Sequence, residues 1–207
     1  LVATLIIGVP VAFSLGLSSL TVVLLSPGLP INVIAQKTFT GLDSFPFMAI
    51  PFFILAGELM NSCGITTRLV DFADSLVGHL KGGLAHINIV SSMFFAGITG
   101  SAVADTSAIG SIMIPPMTEE GYDIDFSAAV TASSSVVGPI IPPSIPMVVF
   151  ALLSGTSVGG LFLAGIIPGV LLGLGLMIVA YFISKKNNYG HSQKMTPIKE
   201  ILKATFK

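Results

Sequence analysis

Between residues 82 and 184 the sequence has no lysine and no arginine, and long parts of that interval are wholly apolar. A soluble fold would carry charge there, since about a quarter of an average soluble domain is charged. Here the whole chain is 9% charged and 53% hydrophobic, with a mean hydropathy of +0.94. The interval therefore belongs in a bilayer. Yet two stretches within it are rich in small or helix-breaking residues: 97–111 (GITGSAVADTSAIGS) and 136–146 (VVGPIIPPSIP). Irregular backbone at membrane depth is tolerated only where it is buried in protein or lines a cavity. These two stretches are the candidate site.

The second stretch interrupts an apolar run, 126–154, that is otherwise long enough to span. Pro139, Pro142, Pro143 and Pro146 each remove the N–H that would bond the carbonyl four residues earlier. In a helix this frees the carbonyls of Ser135, Gly138, Pro139 and Pro142, which then need water, a partner or a cation. Thr131, Ser133, Ser134 and Ser135 add hydroxyls just upstream. A simple proline kink is the plainer alternative, but four prolines in so short a stretch exceed what a kink requires.

The first stretch lies in a run, 84–117, that as one helix would be about 51 Å long, more than a bilayer needs. If it folds back, the arms 84–96 and 107–117 are about 20 and 16 Å, each too short to cross. That describes a re-entrant hairpin with its tip near the midplane. The alternative is an ordinary span over 87–104 followed by a loop. Pro115 and Pro116 are expected to close the second arm, and 118–125 (TEEGYDID) to form a solvated turn.

The rest of the chain supplies spans and surface. Residues 1–25 are uncharged, with a kink expected at Gly8 and Pro10 and an end at Ser26, Pro27, Gly28 and Pro30. The chain starts without Met inside this run and reads as a piece of a longer protein. The run lacks the basic n-region of a signal peptide and exceeds an h-region. Residues 31–44 read as an interfacial connection and 45–60 as a second, short span. Glu58 near its end is either an interface residue or part of ion handling. Residues 66–81 alternate apolar and polar positions at helical spacing, an amphipathic helix expected to lie flat on the membrane and to end at Gly82 and Gly83. Residues 160–184 are a clean last span.

Lys185 and Lys186 follow that span, and the tail to Lys207 carries six lysines and one acid, Glu200. The tail therefore reads as cytoplasmic. Working back, the start at Phe126, the open end of the hairpin, Lys81 and the Arg68-bearing helix all fall on the same side. An ordinary span at 87–104 would place the tail and the amphipathic helix on opposite sides, so charge favours the hairpin.

Within the apolar part of 82–184 the one acid is Asp105. A lone carboxylate at depth must be protonated, hydrogen-bonded or matched by a cation. With freed carbonyls and hydroxyls it makes a hard oxygen set, suited to a small hard cation. Sodium is favoured over a proton, because backbone carbonyls do not carry protons. A second reading has Asp105 capping the second arm through the N–H of Ala108. An arm starting at Thr106 and Ser107 would also turn a positive dipole end toward an anion. A broken helix beside a hairpin is the pattern of a secondary transporter. An enzyme would need a nucleophile–base pair or a metal cluster at depth, and His79, His86 and His191 are scattered; the single Cys63 allows no internal disulfide. A channel would need a continuous polar stripe. No cofactor is expected beyond sodium as coupling ion, and no nucleic-acid partner.

GVPVAFSLG, FPFMAIPFFILAGELMN, GITTRLVDFADSLVGHLKGGLAHINI, FFAGITGSAVADTSAIGSIMIPPM, GPIIPPSIPMV and GLFLAGIIPG together resemble the large membrane subunit of tripartite ATP-independent periplasmic (TRAP) transporters. The resemblance covers residues 8 to about 190. It implies an all-α polytopic protein of the bacterial or archaeal inner membrane, a sodium symporter for small organic acids such as dicarboxylates or sialic acid. Its partners would be a periplasmic substrate-binding protein and a small four-helix membrane subunit. The family fold has two inverted repeats working as an elevator, and one repeat is present here. The implied organisation is scaffold-type spans over 1–61, an amphipathic arm helix over 62–83, the hairpin over 84–117, a broken transport-domain helix over 118–156, a last span over 157–184 and a cytoplasmic connection over 185–207.

On that resemblance the sodium candidates are Gly97, Thr99, Gly100, Ser101, Asp105, Ser135, Gly138, Pro139 and Pro142. The substrate candidates are Ser101, Thr106, Ser134, Pro143 and Ser144. The family's substrates are anionic, yet no basic residue lies at depth here, so a basic anchor would have to come from the other repeat. A carrier of the divalent anion/sodium symporter type, which needs no binding protein, is the alternative.

Overall fold

The computed structural model describes residues 1–26, 28, 30–43 and 45–190, with the backbone alone at 45–49, 53 and 61. The described residues are helical throughout, with no strand. The lysine-rich tail beyond Gly190 and the turn positions Pro27 and Ser44 lie outside them. The chain divides into two compact units, Leu1–Met48 and Ala49–Lys207.

In the first unit the expected span over 1–25 is two helices, α1 (Val2–Ile6) and α2 (Val11–Leu25). Gly8 takes φ 88°, and Pro10 sits at the N-cap of α2. The interruption is thus a full break rather than the expected kink: once Gly8 turns left-handed the ladder stops, and Pro10 has no N–H to restart it. Hydroxyls on this apolar helix bond their own backbone, as Ser19 to the carbonyl of Leu15 (2.9 Å) and Thr21 to that of Leu17 (2.7 Å). That is how a polar group enters lipid at low cost. The expected connection over 31–44 is itself a helix, α3 (Asn32–Leu42).

α4 (Phe45–Ser62) straddles the division and carries Pro51 inside it. The second unit continues with α5 (Ile65–Val77), α6 (Gly83–Thr99), α7 (Ala102–Glu119), α8 (Ile124–Ser135), α9 (Ile145–Ser154) and α10 (Val158–Asn187). Among the described residues α10 is the one helix long and apolar enough to cross a membrane by itself. Leu163, Ile167, Leu171 and Phe182 line its exposed side.

The amphipathic helix ends at Val77, short of the expected Lys81. Its apolar residues Leu69, Val70, Ala73 and Val77 pack on Ile87, Val90, Phe95, Ile109 and Met113 of the hairpin. The apolar face expected to meet lipid therefore meets α6 and α7. The hairpin arms are also longer than expected. α6 and α7 are joined by Gly100 and Ser101 alone, and Pro115 and Pro116 lie inside α7 rather than ending it. Small residues such as Ala, Ser and Asp did not stop the helix because nothing offered their backbone a better partner; only Gly100, at φ 59°, turns it.

Two contacts set the depth of the tip. At the open end, a Cβ on Gly82 would lie 2.3 Å from Ser184 Oγ, and Lys81 Nζ donates to Asn188 Oδ1 (2.9 Å). Tyr122, Phe126 and Tyr189 stack there, and Tyr189 donates to Asp123. The mouth of the hairpin, the start of α8 and the end of α10 thus share one end of the bundle. Higher up, Gly165, Gly169 and Gly173 face Ile140, Ile141 and Met93 so closely that a Cβ at each would lie within 2.5 Å of them. This glycine seam lets the segment between α8 and α9 lie directly on α10.

Candidate functional site

The run over 126–154 is broken where the prolines predict. α8 stops at Ser135 and α9 starts at Ile145, and the Pro142–Pro143 bond between them is cis. The first residues of the break turn tightly: Val137 N donates to Ser134 (3.0 Å), Gly138 N to Ser135 (3.0 Å), and Ile141 N to Val137 (2.9 Å). Of the four carbonyls predicted to be free, Ser135 is therefore satisfied by Gly138, and Pro139 accepts from the Ser144 hydroxyl. Those of Gly138 and Pro142 accept no hydrogen bond among the described residues.

The hairpin tip is seated in this break. A Cβ on Gly100 would lie 2.4 Å from the Pro143 carbonyl oxygen and 3.1 Å from Ser144 Cα. From the other side, a Cβ on Gly138 would lie 3.5 Å from Ala102 N, and one on Gly97 would lie 3.5 Å from the Pro142 carbonyl oxygen. Four helix ends therefore meet. α6 and α8 bring C-terminal, negative ends; α7 and α9 bring N-terminal, positive ends. The two starts are built alike. Ser101 is extended (φ −130°, ψ 118°) and its hydroxyl accepts from Ala104 N; Ser144 (φ −121°, ψ 120°) accepts from Met147 N at 3.2 Å. Ser101 rather than Asp105 is thus the cap of α7, and the positive end lies at Ala102 rather than at Thr106–Ser107.

Asp105 sits in the first turn of α7 and is fully buried, and neither carboxylate oxygen has a hydrogen-bond partner. The hydroxyls of Ser135 and Ser92 stand beside it. The Ser135 proton is directed elsewhere, and Ser92 is in contact with a second hydroxyl with which either oxygen can be the donor. Ser135 donates to the Thr131 carbonyl (2.8 Å). Ser92 shares a 3.0 Å bond with Ser134, and Ser134 in turn reaches the Thr131 carbonyl (3.0 Å) and Asn88 Oδ1 (3.4 Å). A buried carboxylate with no basic neighbour and no hydrogen bond of its own is stable only with a proton or a cation beside it.

The structure thus brings together Gly97, Thr99, Gly100, Ser101, Asp105, Ser135, Gly138, Pro142, Pro143 and Ser144. Pro139 is tied to Ser144 through its carbonyl. Ser134 lies in the seam between α6 and α8. Thr106 is exposed, its hydroxyl bonded to the Ala102 carbonyl (2.8 Å), away from this cluster. Sequence reading missed the α6 side of the seam, Asn88, Ser91 and Ser92, all fully buried. Asn88 Nδ2 donates to Thr131 Oγ1 (2.7 Å). The signal was available: Asn88, Ser91, Ser92, Phe95 and Thr99 recur at helical spacing on one face of an otherwise apolar helix.

Round the side of α7 from Asp105 is a cavity of about 490 Å³. Ser101, Ala104, Ser107 and Ser111 form its α7 wall, with Gly57 and Glu58 of α4 across from them and Phe95, Thr99 and Ile145 beside the tip. α4 comes close: a Cβ on Gly57 would lie 3.2 Å from Thr99 Cγ2. Hence the hairpin tip has an oxygen-rich buried side, holding Asp105, and an open side whose mainly apolar lining carries the hydroxyls of Thr99, Ser101, Ser107 and Ser111.

A family model described as the DctM component of the tripartite ATP-independent periplasmic transporter matches residues 1–206. The chain is 47% identical, over 88% of its length, to the sialic acid TRAP transporter large permease protein SiaM of Vibrio cholerae, covering 43% of that protein. It is 45% identical over 98% of its length to the isethionate TRAP transporter permease protein DctMQ of Oleidesulfovibrio alaskensis, covering 32% of it. It is 40% identical over 92% of its length to the 2,3-diketo-L-gulonate TRAP transporter large permease protein YiaN of Escherichia coli, covering 45%. The chain therefore spans between a third and a half of the length of these relatives.

Proposed function

This chain belongs to the DctM component family of tripartite ATP-independent periplasmic transporters, and on that premise we propose that it forms the first half of a large permease that imports small organic acids on a sodium gradient. The permease is a multi-pass protein of a bacterial or archaeal inner membrane. A periplasmic protein delivers the substrate and a small membrane subunit completes the complex, as the family's tripartite description suggests. The substrates in the relatives' names, sialic acid, isethionate and 2,3-diketo-L-gulonate, are all small, hydroxylated and acidic. A substrate of that kind finds hydroxyl partners in Thr99, Ser101, Ser107 and Ser111 of the cavity beside α7.

One observation supports sodium coupling above the rest: Asp105 is fully buried with no hydrogen-bond partner, beside the hydroxyl oxygens of Ser92 and Ser135, the latter already donating to the Thr131 carbonyl. Sodium bound by Asp105, Ser92, Ser135 and the free Gly138 carbonyl draws α6, α7 and the end of α8 together, two of whose C-terminal dipole ends also favour a cation. It thereby holds the tip in the break and sets the shape of the open side, where Ser101 meets the substrate. The positive ends of α7 and α9 favour the substrate's anionic group there. The coupling is thus one hairpin tip with an ion on its buried face and a substrate on its open face.

The test is uptake by the full-length permease with its partners, measured against sodium concentration. Asp105→Asn abolishes sodium activation and Ser101→Ala weakens it. Unchanged sodium activation in both variants refutes the proposal.

A further inference from the structure

The buried face of α6 carries a row of polar side chains, and Asn88, which touches neither the cavity nor Asp105, is the centre of them. It is fully buried. Its amide nitrogen donates to Thr131 Oγ1 (2.7 Å) and points at the sulfur of Met117 (3.6 Å), while its carbonyl oxygen accepts from Ser134 Oγ (3.4 Å). An asparagine in the apolar seam of two helices is costly unless every bond is made. Here the bonds also have a direction. Thr131 receives a proton from Asn88, so its own goes to the Ser127 carbonyl (2.9 Å). Ser134 has two acceptors, the Thr131 carbonyl and Asn88 Oδ1, so its proton points away from Ser92. In the 3.0 Å contact between Ser92 and Ser134, Ser92 is then the donor. With its single proton directed to Ser134, Ser92 stands beside Asp105 with its oxygen free for an ion.

We propose that Asn88 is a positioning residue for the ion site: through Thr131 and Ser134 it fixes the direction of the hydroxyl protons so that Ser92 faces Asp105 as an acceptor. The inference rests on the sodium reading above and adds to it a residue that never touches the ion. The Thr131 carbonyl is shared by Ser134 and Ser135, so without Asn88 both hydroxyls depend on one acceptor. Ser134 can then turn its proton to Ser92, which releases the Ser92 proton toward Asp105, and a hydroxyl that donates to the carboxylate competes with the ion for it. Residues that orient ligands in this way typically change ion affinity by about 10- to 100-fold.

The experiment uses the purified full-length permease and reads the sodium concentration that gives half of the maximal thermal stabilisation, together with the melting temperature in sodium-free buffer. Asn88→Ala raises the half-point about tenfold. Ser134→Ala, which leaves the Asn88–Thr131 bond in place and removes one buried hydroxyl, raises it as well. A purely structural role predicts lower melting temperatures with an unmoved half-point. That result in both variants overturns the proposal, and Ser134→Ala keeps the test open if Asn88→Ala fails to fold. Asp105→Asn is measured in parallel. If it abolishes the sodium response while the seam variants leave the half-point in place, only the role of Asn88 falls. If it retains the full response, the sodium reading falls with it.

Discussion

Gly100→Ala tests the junction of tip and break, and its cost follows from two separate terms. The backbone at Gly100 is left-handed, φ 59°. An L-residue there costs about 1–2 kcal/mol. In addition, the new Cβ lies 2.4 Å from the Pro143 carbonyl oxygen and 3.1 Å from the backbone at Ser144 and Ile145. These neighbours are backbone held against the glycine seam of α10, so no side chain can rotate out of the way. The break must retreat by about 1 Å, and overpacking of that kind costs about 1–3 kcal/mol. Gly155 isolates the first term: it has φ 68° and open space around its Cβ position. The expected penalty is therefore about 2–5 kcal/mol for Gly100→Ala against about 1–2 for Gly155→Ala. Thermal unfolding of the full-length permease with and without sodium reads both. Gly155→Ala lowers stability yet keeps the sodium-induced rise, whereas Gly100→Ala lowers it further and loses most of that rise. Equal losses in the two variants, with the sodium response intact in both, would refute the reasoning.

The seam on α10 predicts that Gly169→Leu, whose Cβ would lie 2.5 Å from Ile141 Cγ1, impairs uptake, while Gly175→Leu, with nothing within 4 Å, does not; transport assays on matched expression levels decide it. At the mouth of the hairpin, burial pushes the Tyr122 hydroxyl up to about 12, with the Glu120 charge adding to it. A tyrosine whose folded pKa exceeds its unfolded value of about 10 stabilises the fold below pH 10, and that stability is lost as pH rises toward 12. Tyr122→Phe should thus flatten the fall in melting temperature across that window, and an unchanged fall assigns it to other groups. In a Cys63→Ser background, a cysteine at Ala104, on the cavity wall beside the tip, should be reached by membrane-impermeant thiol reagents from the cytoplasmic side in one conformational state. Labelling from the periplasmic side alone would overturn the topology.

What the sequence made legible is what leaves no alternative in lipid. Four prolines remove four donors, and the helix does break at Ser135. One acid without a basic neighbour has to be accounted for, and Asp105 is at the centre of the site. Charge placed the mouth of the hairpin, the start of α8 and the end of α10 together, and Lys81 and Asn188 are in fact bonded there. What stayed hidden depends on tertiary packing. Residues 101 to 106 read as part of the turn because Ser, Asp and Thr favour caps, yet packing against α6 and α8 keeps them helical from Ala102. The amphipathic face of α5 has the same pattern whether lipid or protein covers it, and only coordinates show α6 beneath it. The seam of Asn88 and Ser92 was readable by spacing, but serines on an apolar helix so often bond their own backbone, as on α2, that the pattern did not stand out.

The most direct test is equilibrium binding of radioactive sodium to the purified full-length permease, wild type against Asp105→Asn. The account predicts that the variant binds one sodium ion fewer per permease at saturation. The same number of ions bound with the same affinity in both proteins would contradict it.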